Sequence, residues 1–144
     1  MSVLSDVSAL TLLTLFCFPA DGRAYVISLH VLERIPLALK TLLADVRVTF
    51  NGSKVTGDVS RLARDCTLKV ASAADLAARA NELGLLQRGQ KRGLDAMCRT
   101  FLSLHIPNKR EMQMSNWEAT PLSDEQLQYG AMDARRERQA LGSL

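Results

Sequence analysis

Ser115–Ala134 reads SNWEATPLSDEQLQYGAMDA. Ser123 followed three residues later by Gln126 spells a capping box, in which the serine hydroxyl takes the N3 amide and the glutamine takes the N-cap amide. Leu122 and Leu127 stand at the two positions of a hydrophobic staple. Asp124 and Glu125 put negative charge in the first turn, where the helix dipole favours it. A helix therefore starts here. It carries Tyr129 and Asp133 four residues apart, one turn from each other on one face. Taken singly, that pair is better read as a half-buried phenol beside a solvated acid than as a functional pair. Trp117, just ahead, is an indole suited to packing the helix from below.

Working upstream, Gly93–Leu104 and Asp75–Leu83 carry apolar residues at helical spacing, with Gly84, Gly89 and Gly93 punctuating the basic loop between them. Asp58–Cys66 repeats the pattern through Val59, Leu62 and Ala63. Asp58, after Gly57 at a strand-to-helix junction, on its own suits a helix cap. Val46–Phe50 alternates as a short strand that Asn51-Gly52 breaks. Leu32–Ala44 is a helix face that must begin at Pro36, because proline is tolerated only in a first turn. Nearer the start, Ala9–Phe18 and Ala24–Val31 read as an antiparallel hairpin turned by Pro19-Ala20-Asp21-Gly22-Arg23. The order strand, strand, helix, strand, then helices is an α/β pattern with the sheet built early.

Length and composition agree. The 144 residues form one unit without repeat, low-complexity tract or linker, 47% hydrophobic and 23% charged with mean hydropathy +0.01. These values exclude a disordered or fibrous chain. A net charge of +3 tolerates a polyanionic partner without demanding one. Cys17, Cys66 and Cys98 form no C-x-x-C pair, which argues for a reducing, intracellular setting and against a zinc ribbon. With only His30 and His105, a histidine-rich metal cage is not expected. Ala9–Phe18 falls short of the roughly 20 apolar residues that span a bilayer. Asp6, and the lack of any Lys or Arg before that run, argue against a secretory leader. No membrane partner is expected.

The segment 115–134 resembles the C-terminal signature of the DEDDy 3′–5′ exonucleases, the ribonuclease D and Werner exonuclease-like family: S-x-W, a spacer, P-L-(S/T), then Q-x-x-Y-(A/G)-A-x-D-A. Lys54–Leu62 (KVTGDVSRL) is similar to the family's second motif, and the hairpin to its second and third strands. The resemblance runs from residue 8 to 134. It implies a ribonuclease H-like α/β fold, a mixed sheet with flanking helices. It also implies hydrolysis of phosphodiester bonds at the 3′ ends of single-stranded or 3′-ended RNA or DNA by a two-metal mechanism. On that resemblance Asp58 and Asp133 are metal ligands for Mg²⁺ or Mn²⁺, hard cations that favour carboxylate oxygen. Tyr129 orients the attacking water.

The family's first motif, D-x-E on the central strand, has no counterpart among the fifteen acidic residues. Asp6 with Ser8 is a poor substitute, since a serine hydroxyl ligates weakly beside a carboxylate. The expectation is therefore a single, N-terminally incomplete domain over 1–144, lacking the central first strand and holding an incomplete metal site. Its alternative is a catalytically inactive exonuclease-like module that binds nucleic acid or a protein partner. Lys109 and Arg110 are candidates to meet nucleic-acid phosphates, as are Arg88, Lys91 and Arg92; solvated loop charge accounts for them equally well.

Overall fold

The computed structural model of the chain describes residues 2–3, 13–17, 23–87, 89–105 and 109–144. The proposed Pro19–Gly22 turn, Asp6, Ser8 and Arg88 lie outside the described residues. In chain order the elements are Ser2–Val3 (β1), Leu13–Cys17 (β2), Ala24–Ser28 (β3), Leu37–Ala44 (α1), Phe50–Gly52 (β4), Val55–Cys66 (α2), Ala73–Asp75 (β5), Leu76–Glu82 (α3), Leu94–Leu102 (α4), Lys109–Gln113 (α5) and Asp124–Gly142 (α6).

β2 and β3 form the expected antiparallel pair, with Leu15 opposite Val26. The first strand is not wholly missing, contrary to the sequence expectation. Ser2 and Val3 pair antiparallel with Leu15 and Thr14, and β1 also lies beside β4. Strand pairing runs through backbone groups, so two residues without the family's carboxylates can occupy that place. β4 and β5 are parallel, with Gly52 opposite Asp75. The described strands thus form two sheets, an antiparallel β1–β2–β3 and a parallel β4–β5, rather than the single mixed sheet expected; α6 lies across β1, β2, β3 and β4 while packing against α3 and α4.

Among the bounds that differ from the sequence reading are those of β4 and α2, for turn-chemical and nonlocal reasons. Val46–Phe50 is not the strand; β4 begins at Phe50. Asp45 closes a turn first, its carboxylate accepting the Arg47 N–H at 2.9 Å and its carbonyl the Val48 N–H at 3.0 Å. Asn51-Gly52 continues β4 instead of ending it, and Gly52 is buried there. α2 starts at Val55, three residues before Asp58, so Asp58 is inside the first turn and not its cap. β5 was not anticipated, since Ala-Ala-Asp has poor strand propensity and is recruited by pairing with β4.

Two apolar clusters hold the layers. Leu29, Leu39, Leu43, Phe50, Leu62 and Leu68 gather around β4, α1 and α2. Leu76, Ala80, Leu94, Met97, Cys98, Trp117, Tyr129 and Ala140 form the second, where α3, α4 and α6 meet. Among the described residues no helix is long and apolar enough to cross a membrane.

Candidate active site

The approach to α6 is organised by one glutamine. Gln126 N–H donates to Ser123 Oγ at 3.1 Å, and Ser123 N–H donates to Gln126 Oε1 at 2.9 Å, which is the capping box read from the sequence. The same side chain reaches back, its Nε2 donating to Ser115 Oγ at 3.1 Å and to the Asn116 carbonyl at 2.8 Å. Trp117 Nε1 donates to the Met112 carbonyl at 3.0 Å, tying the stretch to α5. The indole lies 6.2 Å from the Tyr129 ring, tilted by 50°, so the phenol is braced by a neighbour from its own signature. Leu122 packs into the core, whereas Leu127 stays exposed.

Tyr129, Asp133 and Glu137 follow one another at four-residue steps along α6, and all three are buried, at 7%, 2% and 5% exposure. Tyr129 Oη makes no well-formed hydrogen bond among the described residues, although the Asp133 carboxylate lies near enough to act as a weak acceptor. Burial pushes the phenol well above its ordinary pKa, and the nearby Asp133 carboxylate adds to the rise; Arg136 opposes both. The hydroxyl therefore stays protonated throughout the ordinary pH range.

Asp58 is also buried, at 1% exposure, in the first turn of α2. The turn ahead of it is fastened from two sides. Ser53 N–H donates to Glu137 Oε1 at 3.1 Å, and Lys54 N–H donates to Asp75 Oδ2 at 2.7 Å. Lys54 takes the left-handed conformation (φ 64°), which a non-glycine residue adopts only where its surroundings hold it. The buried face of α6 and the mouth of α2 are thus joined directly. Asp58 and Asp133 supply hard carboxylate oxygens from separate elements, the donor type a divalent Mg²⁺ or Mn²⁺ prefers. Among the described residues no third His, Cys, Asp or Glu completes a metal-binding group with them.

Beside this face lies a cleft of about 340 Å³, lined by Glu111 and Met112 of α5 and by Gln128, Tyr129, Met132 and Arg136 of α6. Lys109 and Arg110 open α5, and Arg110 is exposed without lining the cleft. Of the residues the sequence singled out, the fold places Tyr129 and Asp133 on one buried face and Asp58 at the element fastened to it. Sequence reasoning missed Glu137, Ser53 and Asp75. Glu137 was findable, being eight residues past Tyr129 on the same face, but the surrounding Arg135, Arg136 and Arg138 give the run the look of solvated charge.

Comparison with known proteins follows the same lines. The sequence profile described as 3′–5′ exonuclease matches residues 4–136. A 3′–5′ exonuclease of Arabidopsis thaliana is 31% identical over 100 residues, covering 69% of this chain and 34% of its own length. The mouse bifunctional 3′–5′ exonuclease/ATP-dependent helicase WRN is 27% identical over 115 residues, covering 80% of this chain and 8% of its own. The chain spans about a third of the length of the curated exonucleases it matches. Among solved structures, the Aedes aegypti Nibbler EXO domain superposes with a TM-score of 0.75 at 18% identity, over 91% of this chain and 67% of that one. The EXD2 exonuclease domain soaked in Mn and GMP gives 0.53 at 24% identity, over 96% and 72%. The fold is that of the ribonuclease H-like exonuclease domains.

Proposed function

The chain belongs to the 3′–5′ exonuclease family, and from that premise we propose that residues 1–144 form a single exonuclease-type domain. It acts on single-stranded or 3′-ended RNA or DNA, hydrolysing the terminal phosphodiester bond. The observation that carries this reading is the burial of Tyr129 and Asp133 on the face of α6 fastened to the turn that leads to Asp58. Asp58 and Asp133 hold divalent cations, and EXD2, soaked in Mn, belongs to the same fold. The chemistry those ions supply when bound is Lewis-acid activation of water and stabilisation of the leaving oxygen. Tyr129 contributes a neutral hydroxyl, kept protonated by burial and braced by Trp117, that hydrogen-bonds the attacking water and holds it in line. Lys109 and Arg110, at the start of the helix that lines the cleft, meet phosphates of the entering strand, where electrostatics dominates affinity. The free thiols Cys66 and Cys98 suit an intracellular, reducing setting.

A second reading, a nucleic-acid-binding module without hydrolysis, is favoured by one observation: no D-x-E occurs among the fifteen acidic residues. The two are separated by release of label from 3′-labelled single strands in Mn²⁺. The enzyme reading expects release that a chelator stops. Asp58→Asn and Asp133→Asn should each lower the rate by more than the roughly 10–100-fold that changes to outer hydrogen bonds around a metal cost. Binding without release, persisting after a D-x-E-bearing strand is supplied ahead of β2, would establish the binding module instead.

A further inference from the structure

We propose that Glu137 is a positioning residue that sets where Asp58 stands relative to Asp133; this rests on the exonuclease reading of the same site. Glu137 is a carboxylate at 5% exposure within a run otherwise read as surface charge. A carboxylate so placed is costly unless hydrogen bonds hold it. A leucine would fill an apolar site at no such cost, so the carboxylate is there for what it accepts. It accepts the backbone N–H of Ser53 at 3.1 Å, across 84 positions of sequence. Ser53 is itself buried at 7% exposure and immediately precedes the left-handed Lys54, whose N–H goes to Asp75 Oδ2.

Two consecutive amides at the mouth of α2 are therefore gripped by carboxylates from two other elements. Asp75 Oδ1 meanwhile caps α3, accepting from Ala77 and Ala78 at 3.0 Å each, which ties that grip to β5 and α3. Glu137 ties it to α6. A helix is stiff over its first turns, so fixing Ser53 and Lys54 against α6 fixes Asp58 against the helix that carries Asp133, one turn before Glu137. Misplacing one ligand by a fraction of an ångström weakens a metal site far more than it weakens a fold.

The test uses the full chain, calorimetric titration with Mn²⁺ in the absence of nucleic acid, and label release from 3′-labelled strands. Glu137→Gln keeps an acceptor oxygen and should bind Mn²⁺ within about threefold of the parent. Glu137→Leu should fold, by circular dichroism, yet lose roughly 10-fold or more in Mn²⁺ affinity and in kcat, with KM little changed. Parent-like Mn²⁺ binding by Glu137→Leu, or equal losses in Gln and Leu variants, would overturn the assignment. Should Glu137→Leu not fold, the parent chain decides: Mg²⁺ titration must shift the Ser53 amide resonance, and an unmoved amide sinks the proposal. Asp133→Asn is run alongside. If it keeps Mn²⁺ binding, or the parent chain takes up none, the exonuclease reading itself has failed; if Asp133→Asn loses binding and Glu137→Leu does not, only the role of Glu137 has.

Discussion

The Tyr129 hydroxyl is buried beside the Asp133 carboxylate without a well-formed hydrogen bond among the described residues. A buried donor left unsatisfied costs stability, so its removal should be neutral or slightly favourable for folding. Tyr129→Phe is expected to hold or raise Tm while lowering the rate of label release, a split that separates a functional phenol from a packing ring. The ionisation of Tyr129 gives a second handle. Its pKa in the folded chain lies above the ordinary phenol value of about 10. The stability this shift contributes is fully present below that pH and is lost as pH rises through the folded value. Titrating phenolate absorbance beside circular dichroism should show one of the two tyrosines ionising only as the fold is lost. Tyr129→Phe should remove that coupled step. An early, fold-independent ionisation of both would contradict the buried placement. Tyr129 and Asp133 were legible as residues because their spacing puts them on one helical face whatever surrounds them.

The element that proved most legible is α6, because its start is written in local chemistry. Ser123, Gln126, Asp124 and Glu125 act within one turn, so no distant contact is needed to place the boundary. Ser123→Ala should cost about 1 kcal/mol in denaturant unfolding, the usual worth of an N-cap. Gln126→Ala should cost more, about 2–3 kcal/mol, because Gln126 makes three side-chain hydrogen bonds and each is worth roughly 1 kcal/mol. Equal losses in the two variants would mean that the bonds to Ser115 and Asn116 contribute nothing. α2 is the counter-example. Its start at Val55 depends on Asp75 and Glu137 accepting the Lys54 and Ser53 amides. Neither acid is local, and Asp58 took the look of a cap it does not provide.

For the whole molecule, the weight falls on the meeting of β4 with α1 and α2. Phe50 is fully buried there among Leu43, Leu62 and Leu68. Phe50→Ala should destabilise by about 3–5 kcal/mol, read as a lower denaturant midpoint at an unchanged slope. A loss under about 1 kcal/mol would mean that this cluster is not the core it is taken for. The sequence by itself determined the α/β class, the β2–β3 pairing, the onset of α1 after Pro36, the capping box that opens α6, and the placing of Tyr129 and Asp133 on one face of that helix. Each follows from periodicity, proline geometry or capping over a few residues, or from the residue pattern of the family signature. Only the tertiary structure decided that Ala73–Asp75 is a strand, that Ser2–Val3 stands beside β2, and that a glutamate in a basic run turns inward to hold Ser53. Those choices rest on backbone groups and carboxylates from segments far apart in sequence, and hydrogen bonds between such partners leave no mark in the spacing of either one.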